Sequence, residues 1–285
     1  MDIGRLYVVA TPIGNLKDIT ARAAEVLSSV DFIAAEDTRV TSVLLNHLDI
    51  KAPMHSYHKF NEAARAESFV EKLREGKSCA LVTDAGTPGI SDPGALLVAA
   101  AVKADIEVIS VPGASAVAAA LSVSGFAFLS YAFYGFLPRK GQEPALSAMF
   151  NSGVDAFVLY ESPHRIIATL EVIETIAPQA RLAVCNDLTK KFERIYRGLP
   201  CEVLDDLKQN SNTNKGEYTL VVENAATRTD DDLPSETPSA ALSLESHLVD
   251  ICAKEHVSLK DAVDILHKSG TVAASKKEID RKSVV

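Results

Sequence analysis

Short apolar runs alternate with helix-like segments five times between Arg5 and Leu121, and this alternation constrains the fold more than any other feature. Each run has the length of a buried strand, and the segments between the runs carry the helical period. A strand followed by a helix, repeated along the chain, favours a mostly parallel sheet with helices on both faces. The sequence therefore predicts an α/β domain over residues 1–122.

Two loops rich in glycine and proline follow predicted strands of this sheet. The first, Asp84–Gly94, comes directly after Cys79–Thr83, and the second, Pro112–Ala116, comes after Ile106–Val111. Either loop alone is compatible with a simple turn, because glycine and proline are common in strand-to-helix connections. Together they favour a ligand site, since the carboxyl ends of parallel strands meet at one edge of a sheet. Thr11–Gly14 and Gly86–Gly89 lack the lysine of a triphosphate site, so a ligand held by backbone groups and carrying little negative charge is expected.

The sequence changes character after Gly125, and a second α/β domain is predicted over residues 123–224. Its predicted strands follow one another with few helices between them, which favours a mixed, partly antiparallel sheet. The predicted strands are Ala156–Tyr160, Leu182–Cys185, Phe192–Arg197 and Tyr218–Val222, and the predicted helices lie near His164–Ile176 and Val203–Gln209.

The C-terminal part of the chain is predicted to form a separate small unit. Residues 225–239 read as an acidic linker with little apolar content. Residues 240–285 are expected to form a helical unit, with helices at Ala240–Glu255, Leu259–Lys268 and Ser275–Lys282. This unit is compatible with nucleic-acid binding and equally with packing or dimer contacts.

Charge and cysteine content limit the possible partners. The formal net charge is −9, but Cys201–Asp250 holds three basic and eleven acidic residues and so accounts for −8 of it. An acidic total therefore does not exclude a basic face elsewhere. The four cysteines lack the spacing of a metal site or a disulfide framework, so no metal and a reducing compartment are expected. No signal-peptide pattern or bilayer-length apolar run is present, which favours a cytoplasmic protein without a membrane partner.

Polar motifs follow strands in the second domain, at Tyr160–Arg165 and Asn186–Arg194. Basic residues in or near them are candidates for phosphate contacts, namely Arg139, Lys140, Lys191 and Arg194. Each alone is better explained as part of a solvated face, and only their common placement after strand ends favours one wall of a cleft. A lone histidine at a helix start, such as His164, is more often structural or a phosphate donor than a base. Signatures of a nucleophile elbow, a P-loop and a dinucleotide site are missing from the sequence.

Seven motifs in order resemble those of the RNA-acting branch of the tetrapyrrole methylase superfamily, the family of ribosomal RNA small subunit methyltransferase I. The resemblance covers Leu6 to about Glu223 and the C-terminal unit more weakly. The motifs are Val9–Thr20, Ala35–Arg39, Asp84–Gly94, Val111–Ala116, Gly135–Pro138, Tyr160–Arg165 and Leu188–Lys190.

The resemblance implies two α/β domains of the tetrapyrrole methylase type, with S-adenosylmethionine bound in the cleft between them. It also implies a homodimer that methylates the 2′-oxygen of a cytidine in the decoding region of 16S ribosomal RNA, in the small ribosomal subunit. The cofactor-binding residues that it implies are Pro12, Thr87, Pro88, Gly89, Ile90, Ser115, Ala116 and Tyr160.

Transfer of a methyl group to a hydroxyl needs alignment of the two groups and removal of the hydroxyl proton. From their placement at strand ends, Asp37 or Lys190 is the hypothetical proton-handling residue. The same placement assigns Arg39, His164 and Arg165 to ribose and phosphate positioning. A lysine base would require a lowered pKa.

Two alternatives stay open. A methyltransferase acting on a small tetrapyrrole-like substrate ranks lower, because that branch has a Gly-Pro-Gly-Asp-Pro-like first loop where this chain reads Pro12–Leu16. A non-catalytic RNA-binding module, with structural glycine-rich loops, would not bind S-adenosylmethionine.

Overall fold

The computed structural model describes residues 3–224, 251–252, 257–258 and 261–265. The chain divides into two compact units, residues 1–228 and residues 229–285. Both predicted sheets lie in the first unit.

The first sheet is parallel throughout, as predicted, with the strand order β3-β2-β4-β1-β5. Its strands are β1 Leu6–Val9, β2 Phe32–Ala35, β3 Met54–Ser56, β4 Cys79–Val82 and β5 Val108–Val111. Each strand is followed by a helix, and the helices are α1 Ala21–Ser29, α2 Thr38–His47, α3 Glu62–Arg74, α4 Ala95–Lys103 and α5 Ala116–Ser124.

Helices cover both faces of the first sheet because its strands are apolar on both sides. On one face Leu6 and Leu81 pack with Phe69 of α3 and Leu97 of α4. On the other face Val9, Ile33 and Val82 pack with helices α1 and α2, through residues such as Leu27 and Leu44. The carboxyl ends of all five strands thus remain at one uncovered edge, where the connecting loops gather.

The second sheet is mixed, as predicted, with the order β6-β7-β10-β8-β9. Strands β6 and β7 are parallel, and the other neighbours are antiparallel. The strands are β6 Tyr131–Phe136, β7 Ala156–Glu161, β8 Arg181–Asn186, β9 Arg194–Gly198 and β10 Tyr218–Glu223, and the helices are α6 Gln142–Phe150, α7 Ile166–Ile176 and α8 Pro200–Gln209. Strand β6 and helix α6 were not predicted.

Helix α5 joins the two sheets. It follows β5 in the chain, but Val117 and Leu121 pack against Val158, Ala183 and Val221 of the second sheet, on the face opposite to α6, α7 and α8. The guanidinium of Arg197 on β9 donates through Nε to the carbonyl of Val123 at the end of this helix, at 3.1 Å. The predicted boundary between residues 122 and 123 falls inside α5 and stays a prediction.

Only a few residues of the second unit are described. Ile251 and Cys252 are helical, as is the segment of residues 261–265. They fall within the predicted helices Ala240–Glu255 and Leu259–Lys268. The predicted linker 225–239 and the predicted helix Ser275–Lys282 lie outside the described residues. Across the part of the chain that the structure describes, none of the helices has the length and apolarity needed to cross a bilayer.

Candidate active site

A cavity of about 320 Å³, here called the first cavity, lies where loops of the two sheets meet. Its volume is at the lower end of the range for small-molecule sites, roughly 300–1,000 Å³. Most of its lining comes from the loop after β4, the start of α5, the end of β7 and the start of β10, and Ile13, Phe136 and Leu188 complete it. Both glycine- and proline-rich loops of the sequence thus contribute to one site.

The loops at this edge are held to one another by backbone hydrogen bonds. Thr11 and Gly86 exchange two such bonds, from Thr11 N to Gly86 O at 2.9 Å and from Gly86 N to Thr11 O at 3.1 Å. The hydroxyl of Thr87 donates to the carbonyl of Ala114 at 3.3 Å. Gly86 has a φ of +83°, in the left-handed region where an L side chain is strained. The loops after β1, β4 and β5 are therefore hydrogen-bonded to one another at this edge of the sheet.

Most of the predicted cofactor residues line the first cavity. Thr87, Ile90, Ser115, Ala116 and Tyr160 all do so. The side chain of Ser115 caps α5 by accepting from the backbone of the third helical residue, at 3.5 Å. Tyr160 packs edge-on against Phe133 and Phe136, with ring centroids 4.8 and 5.6 Å away.

The other three predicted cofactor residues do not line the first cavity. Pro88 is buried within the loop, and Gly89 turns the loop with a φ of +78°. Pro12 lines a different cavity, which lies on the other side of the Thr11–Gly86 bridge.

This second cavity has a volume of about 520 Å³ and is more open to solvent. The loop after β1, the first turns of α2 and the end of β4 form its walls. Two predicted site residues, Asp37 and Arg39, line it together with Pro12. Of the predicted site residues, Pro12, Asp37 and Arg39 therefore line a cavity other than the one that Thr87, Ile90, Ser115, Ala116 and Tyr160 line.

The lining of the first cavity is acidic, and two of its three acids are paired with cations outside the lining, Glu161 with Arg165 and Glu217 with Lys190. Asp92, Glu161 and Glu217 line it, and none of its lining residues is a lysine, arginine or histidine. Burial and the nearby charge of Asp92 raise the pKa of Tyr160 to about 12, so its hydroxyl stays protonated at neutral pH. A ligand with positive charge suits this cavity, and a polyphosphate does not.

Sequence reasoning missed several lining residues. Asp92 and Phe136 lie within motifs that were noted, but no role was assigned to them. The segment of residues 216–219 lies at the start of β10 and comes into the site only through the pairing of β10 with β7 and β8. In the sequence, only the glycine at position 216 marks this segment as a turn, and in the structure Gly216 has a φ of +82°.

Three carboxylates near the cavities have raised pKa values. Burial is the main cause for Glu36, Asp84 and Asp92, and repulsion from neighbouring carboxylates, which include Asp37, adds to it. Glu36, Asp37 and Asp84 are connected by hydrogen bonds, since Asp84 N donates to Glu36 Oε2 at 3.3 Å and Asp37 N donates to Asp84 Oδ1 at 3.1 Å. The site thus keeps carboxylates in surroundings that disfavour their charge.

Replacing Asp92 with asparagine is expected to raise the melting temperature by a few degrees at pH 7.5. A carboxyl whose pKa is higher in the folded than in the unfolded state destabilises the fold as the pH rises from the unfolded-state pKa to the folded-state pKa. The interval begins near the ordinary aspartate value of 3.8. The gain should therefore shrink below about pH 4. Melting curves at the two pH values test this, with the exposed Asp206→Asn as control. Equal melting temperatures for wild type and Asp92→Asn at pH 7.5 would contradict it.

Asp37 is held by its neighbour Arg39. Its carboxylate accepts from Arg39 Nε at 3.0 and 3.1 Å and from Arg39 N at 2.8 Å, which also caps α2. These hydrogen bonds lower the pKa of Asp37 to about 2. Such an acidic group is a weak proton acceptor at neutral pH, so the geometry suits positioning of Arg39 better than base catalysis.

Lys190 lies between two carboxylates in the loop after β8. Its Nζ donates to Asp187 Oδ1 and to Glu217 Oε2, each at 2.9 Å. Burial acts to lower its pKa, but the hydrogen bonds to Glu217 and Asp187 prevail and raise it. The lowered pKa that a lysine base requires is therefore not what this arrangement produces.

The Lys190 loop contacts the loop after β1. Asn15 N donates to the hydroxyl of Thr189 at 3.0 Å, and Gly14 packs directly on Leu188 and Lys190. Asp187 and Thr189 both have positive φ values, of 54° and 67°. Since Ile13 and Leu188 line the first cavity, this contact joins the two sheets at the site.

The predicted RNA-contacting residues differ in their surroundings. Arg165 is engaged inside the protein: Nη2 donates to the carbonyls of Leu137 and Pro138, and Nε lies 3.4 Å from Glu161 Oε1. The others have exposed side chains: Arg39, Arg139, Lys140, His164, Lys191 and Arg194. Among the described residues, no group of three or more histidines, cysteines or acids is arranged to hold a metal ion.

Comparisons with known proteins agree with this architecture. The family model for Tetrapyrrole (Corrin/Porphyrin) Methylases matches residues 5–203. A crystal structure of the methyltransferase CobJ, 18% identical, superposes with a TM-score of 0.59 over 79% of this chain and 96% of that chain. The structure of uroporphyrin-III C-methyltransferase from Thermus thermophilus in complex with S-adenosylhomocysteine is 16% identical in sequence. It superposes with a TM-score of 0.55 over 77% of this chain and 97% of that chain. The fold and the site thus define a protein of the tetrapyrrole methylase class.

Sequence relatives narrow the class. The ribosomal RNA small subunit methyltransferase I of Synechocystis sp. is 47% identical over 82% of each chain. The protein of the same name from Hydrogenobaculum sp. is 46% identical over 76% of this chain and 95% of its own length. This chain belongs to the ribosomal RNA small subunit methyltransferase I family of the tetrapyrrole methylases.

Proposed function

We propose that the protein transfers the methyl group of S-adenosylmethionine to the 2′-oxygen of a cytidine ribose in the decoding region of 16S ribosomal RNA. Membership in the family supports the reaction class and the RNA substrate. The observation that carries the cofactor assignment is that both glycine- and proline-rich loops bound the first cavity, whose lining includes acids and no basic side chain.

The residues of the first cavity fit S-adenosylmethionine. At neutral pH this molecule carries a positive sulfonium and a positive ammonium against one carboxylate. The lining has acidic residues and no basic side chain, and Ile13, Ile90, Phe136 and Leu188 add apolar surface for a nucleoside. When bound, the cofactor supplies a methyl group activated by its positively charged sulfur. The chain's own residues must then hold the acceptor and remove its proton.

The RNA would be bound mainly by exposed basic side chains. Arg139, Lys140, His164, Lys191 and Arg194 are exposed, and such side chains contact phosphates without reading base sequence. Arg39, held by Asp37, presents an exposed guanidinium at the second cavity. Arg165 and Lys190 would act by positioning loops, because their charged groups are already bonded within the protein.

A homodimer working in the cytoplasm, where small ribosomal subunits are found, is part of the same proposal. Support for self-association comes from the edge strand β6 and the two residues before it. Leu129 and Tyr131 are exposed there, by 103% and 51%. An edge strand with exposed apolar side chains is typical of an interface. Light scattering on purified protein distinguishes monomer from dimer.

The direct test is transfer of a labelled methyl group from S-adenosylmethionine to small ribosomal subunits that lack the modification, followed by ribose analysis. Label on a cytidine 2′-oxygen is the expected result. Binding of S-adenosylmethionine without transfer would overturn the RNA assignment and direct attention to a small tetrapyrrole-like acceptor. A protein without any S-adenosylmethionine-dependent rise in melting temperature would instead be a binding module.

Replacing Tyr160 with alanine is expected to weaken S-adenosylmethionine binding about tenfold, which corresponds to about 1.4 kcal/mol. The substitution removes an aromatic wall of the first cavity and its contacts with Phe133 and Phe136. Calorimetric titration measures the effect. Tyr134→Ala is the matched control, because Tyr134 lies on β6 outside the cavity lining. Unchanged affinity in Tyr160→Ala would place the cofactor elsewhere.

A further inference from the structure

We propose that the second cavity binds the ribose of the target nucleotide, and that Asp84 accepts the proton of its 2′-hydroxyl. This inference rests on the proposed function and names the acceptor side of the same site. The residues concerned are on the loop after β4 and on the first turns of α2.

The two cavities adjoin along one short stretch of chain. Thr83 and Asp84 line the second cavity, and the next residues, Ala85, Gly86 and Thr87, line the first. Methyl transfer requires donor and acceptor to meet at reacting distance. A nucleotide in the second cavity would lie beside a cofactor in the first, with the Asp84 carboxylate near the boundary.

Two buried hydroxyls in the walls of the second cavity lack partners. Thr41 is 4% exposed and Thr83 is 2% exposed, and neither hydroxyl has a hydrogen-bond partner among the described residues. Buried hydroxyls are nearly always paired, so two unpaired ones at one cavity point to a polar ligand. A ribose, with hydroxyls that both donate and accept, is such a ligand.

The rest of the second cavity suits a nucleotide. The guanidinium of Arg39 is 89% exposed at its rim and is oriented by Asp37, as a phosphate contact requires. Val40 and Val43 of α2 are exposed by 43% and 58% and provide apolar surface beside it. The phosphate would thus contact Arg39, the ribose would contact the hydroxyls of Thr41 and Thr83, and the base would pack on Val40 and Val43.

Asp84 has the properties that the two earlier base candidates lack. Its Oδ1 accepts from Asp37 N at 3.1 Å, and its second oxygen has no hydrogen bond among the described residues. Burial is the main cause that raises the pKa of Asp84, and the charge of Asp37 acts in the same direction, while the hydrogen bond from Asp37 N and the charge of Arg39 act to lower it. The other charged groups that face it are Glu36 and Asp92. A carboxylate with a raised pKa is a better base than Asp37 or the ion-paired Lys190.

The proposed step is balanced in atoms and electrons. The ribose oxygen forms the new O–CH₃ bond, and the S–CH₃ bond breaks with its electron pair left on sulfur, giving S-adenosylhomocysteine. The hydroxyl proton passes to Asp84, which is solvent-exposed and returns it to water.

The test compares Asp84→Asn, Thr83→Val and the surface control Asp206→Asn with wild type. Single-turnover transfer to small subunits is measured across pH, together with S-adenosylmethionine binding by calorimetry. Asp84→Asn should slow transfer at least a hundredfold and lose the rise of rate with pH on the acid side, with cofactor affinity within twofold. Thr83→Val should slow transfer at subsaturating RNA without lowering the melting temperature, because it removes an unpaired hydroxyl. The control should match wild type.

The outcomes separate the two proposals. Wild-type enzyme that binds S-adenosylmethionine but does not methylate the RNA overturns the proposed function, and this inference falls with it. An active wild type whose Asp84→Asn variant keeps its rate within threefold overturns the inference alone. So does a parallel loss of cofactor binding in Asp84→Asn, which would assign the residue to the first cavity.

Discussion

Replacing Arg165 with alanine is expected to lower the free energy of unfolding by about 3 kcal/mol, because it leaves a buried carboxylate without its cation. The Glu161 side chain is fully buried, and its oxygens accept from Ser162 N at 2.7 Å and from the hydroxyl of Thr169 at 2.8 Å. Arg165 supplies the positive charge, 3.4 Å away. The same substitution removes the two hydrogen bonds that tie Leu137 and Pro138 to the start of α7.

Urea unfolding measures this effect. The exposed Arg139→Ala serves as the matched control and should change stability by less than about 0.5 kcal/mol. In a Glu161→Gln background, Arg165→Ala should cost less, because the buried charge is already gone. If Arg165 acted only by contacting RNA, Arg165→Ala would unfold like wild type and lose only RNA affinity.

Replacing Gly14 with alanine is expected to destabilise the protein by about 2 kcal/mol and to weaken S-adenosylmethionine binding. A Cβ at this position would lie 2.5 Å from Lys190 Cγ, 2.8 Å from Thr189 Oγ1 and 2.9 Å from the backbone oxygen of Leu188. The flexible lysine can move, but the backbone oxygen cannot do so without displacing its loop. Since Ile13 and Leu188 line the first cavity, separating the loops changes its walls.

Gly125→Ala distinguishes steric overlap from backbone strain. Gly125 has a φ of +79° and open space around it, so alanine there costs only the left-handed conformation, about 1 kcal/mol. It should leave cofactor affinity unchanged. Melting curves and calorimetric titration of both variants test the prediction. A Gly14→Ala protein with wild-type stability and affinity would show that the two loops separate freely.

Local pattern was sufficient to predict most of the fold. The strands and helices of the first sheet, its parallel order and the mixed character of the second sheet were confirmed. Strand β6 was missed because only its edge position, next to β7, explains its half-exposed aromatic run. Helix α6 was missed because it begins after Gly141 and has Pro144 in its first turn. Proline is tolerated there but hides the helical signal.

The loops that line the first cavity were also predictable, because glycine and proline determine backbone shape locally. Five of the eight predicted cofactor residues line the first cavity. What the sequence did not reveal is that Pro12, Asp37 and Arg39 line a second cavity. Two loops that end neighbouring strands can face one cleft or two, and that depends on long-range pairing such as the bridge between Thr11, which lines the second cavity, and Gly86, which lines the first.

The sequence by itself determined the class of fold, the edge of the sheet where the cavities lie, and the family. Those properties depend on hydrophobic period and on residues that limit backbone angles, and both act over a few positions. Only the tertiary structure decided which charged groups are free to act. Lys190 donates to Glu217, and Arg165 donates to Leu137, although each pair is more than twenty residues apart in the sequence. Burial raises the pKa of Asp84, whereas hydrogen bonds from Arg39 lower the pKa of Asp37. Pairing and desolvation are properties of neighbours in space, so no local pattern contains them.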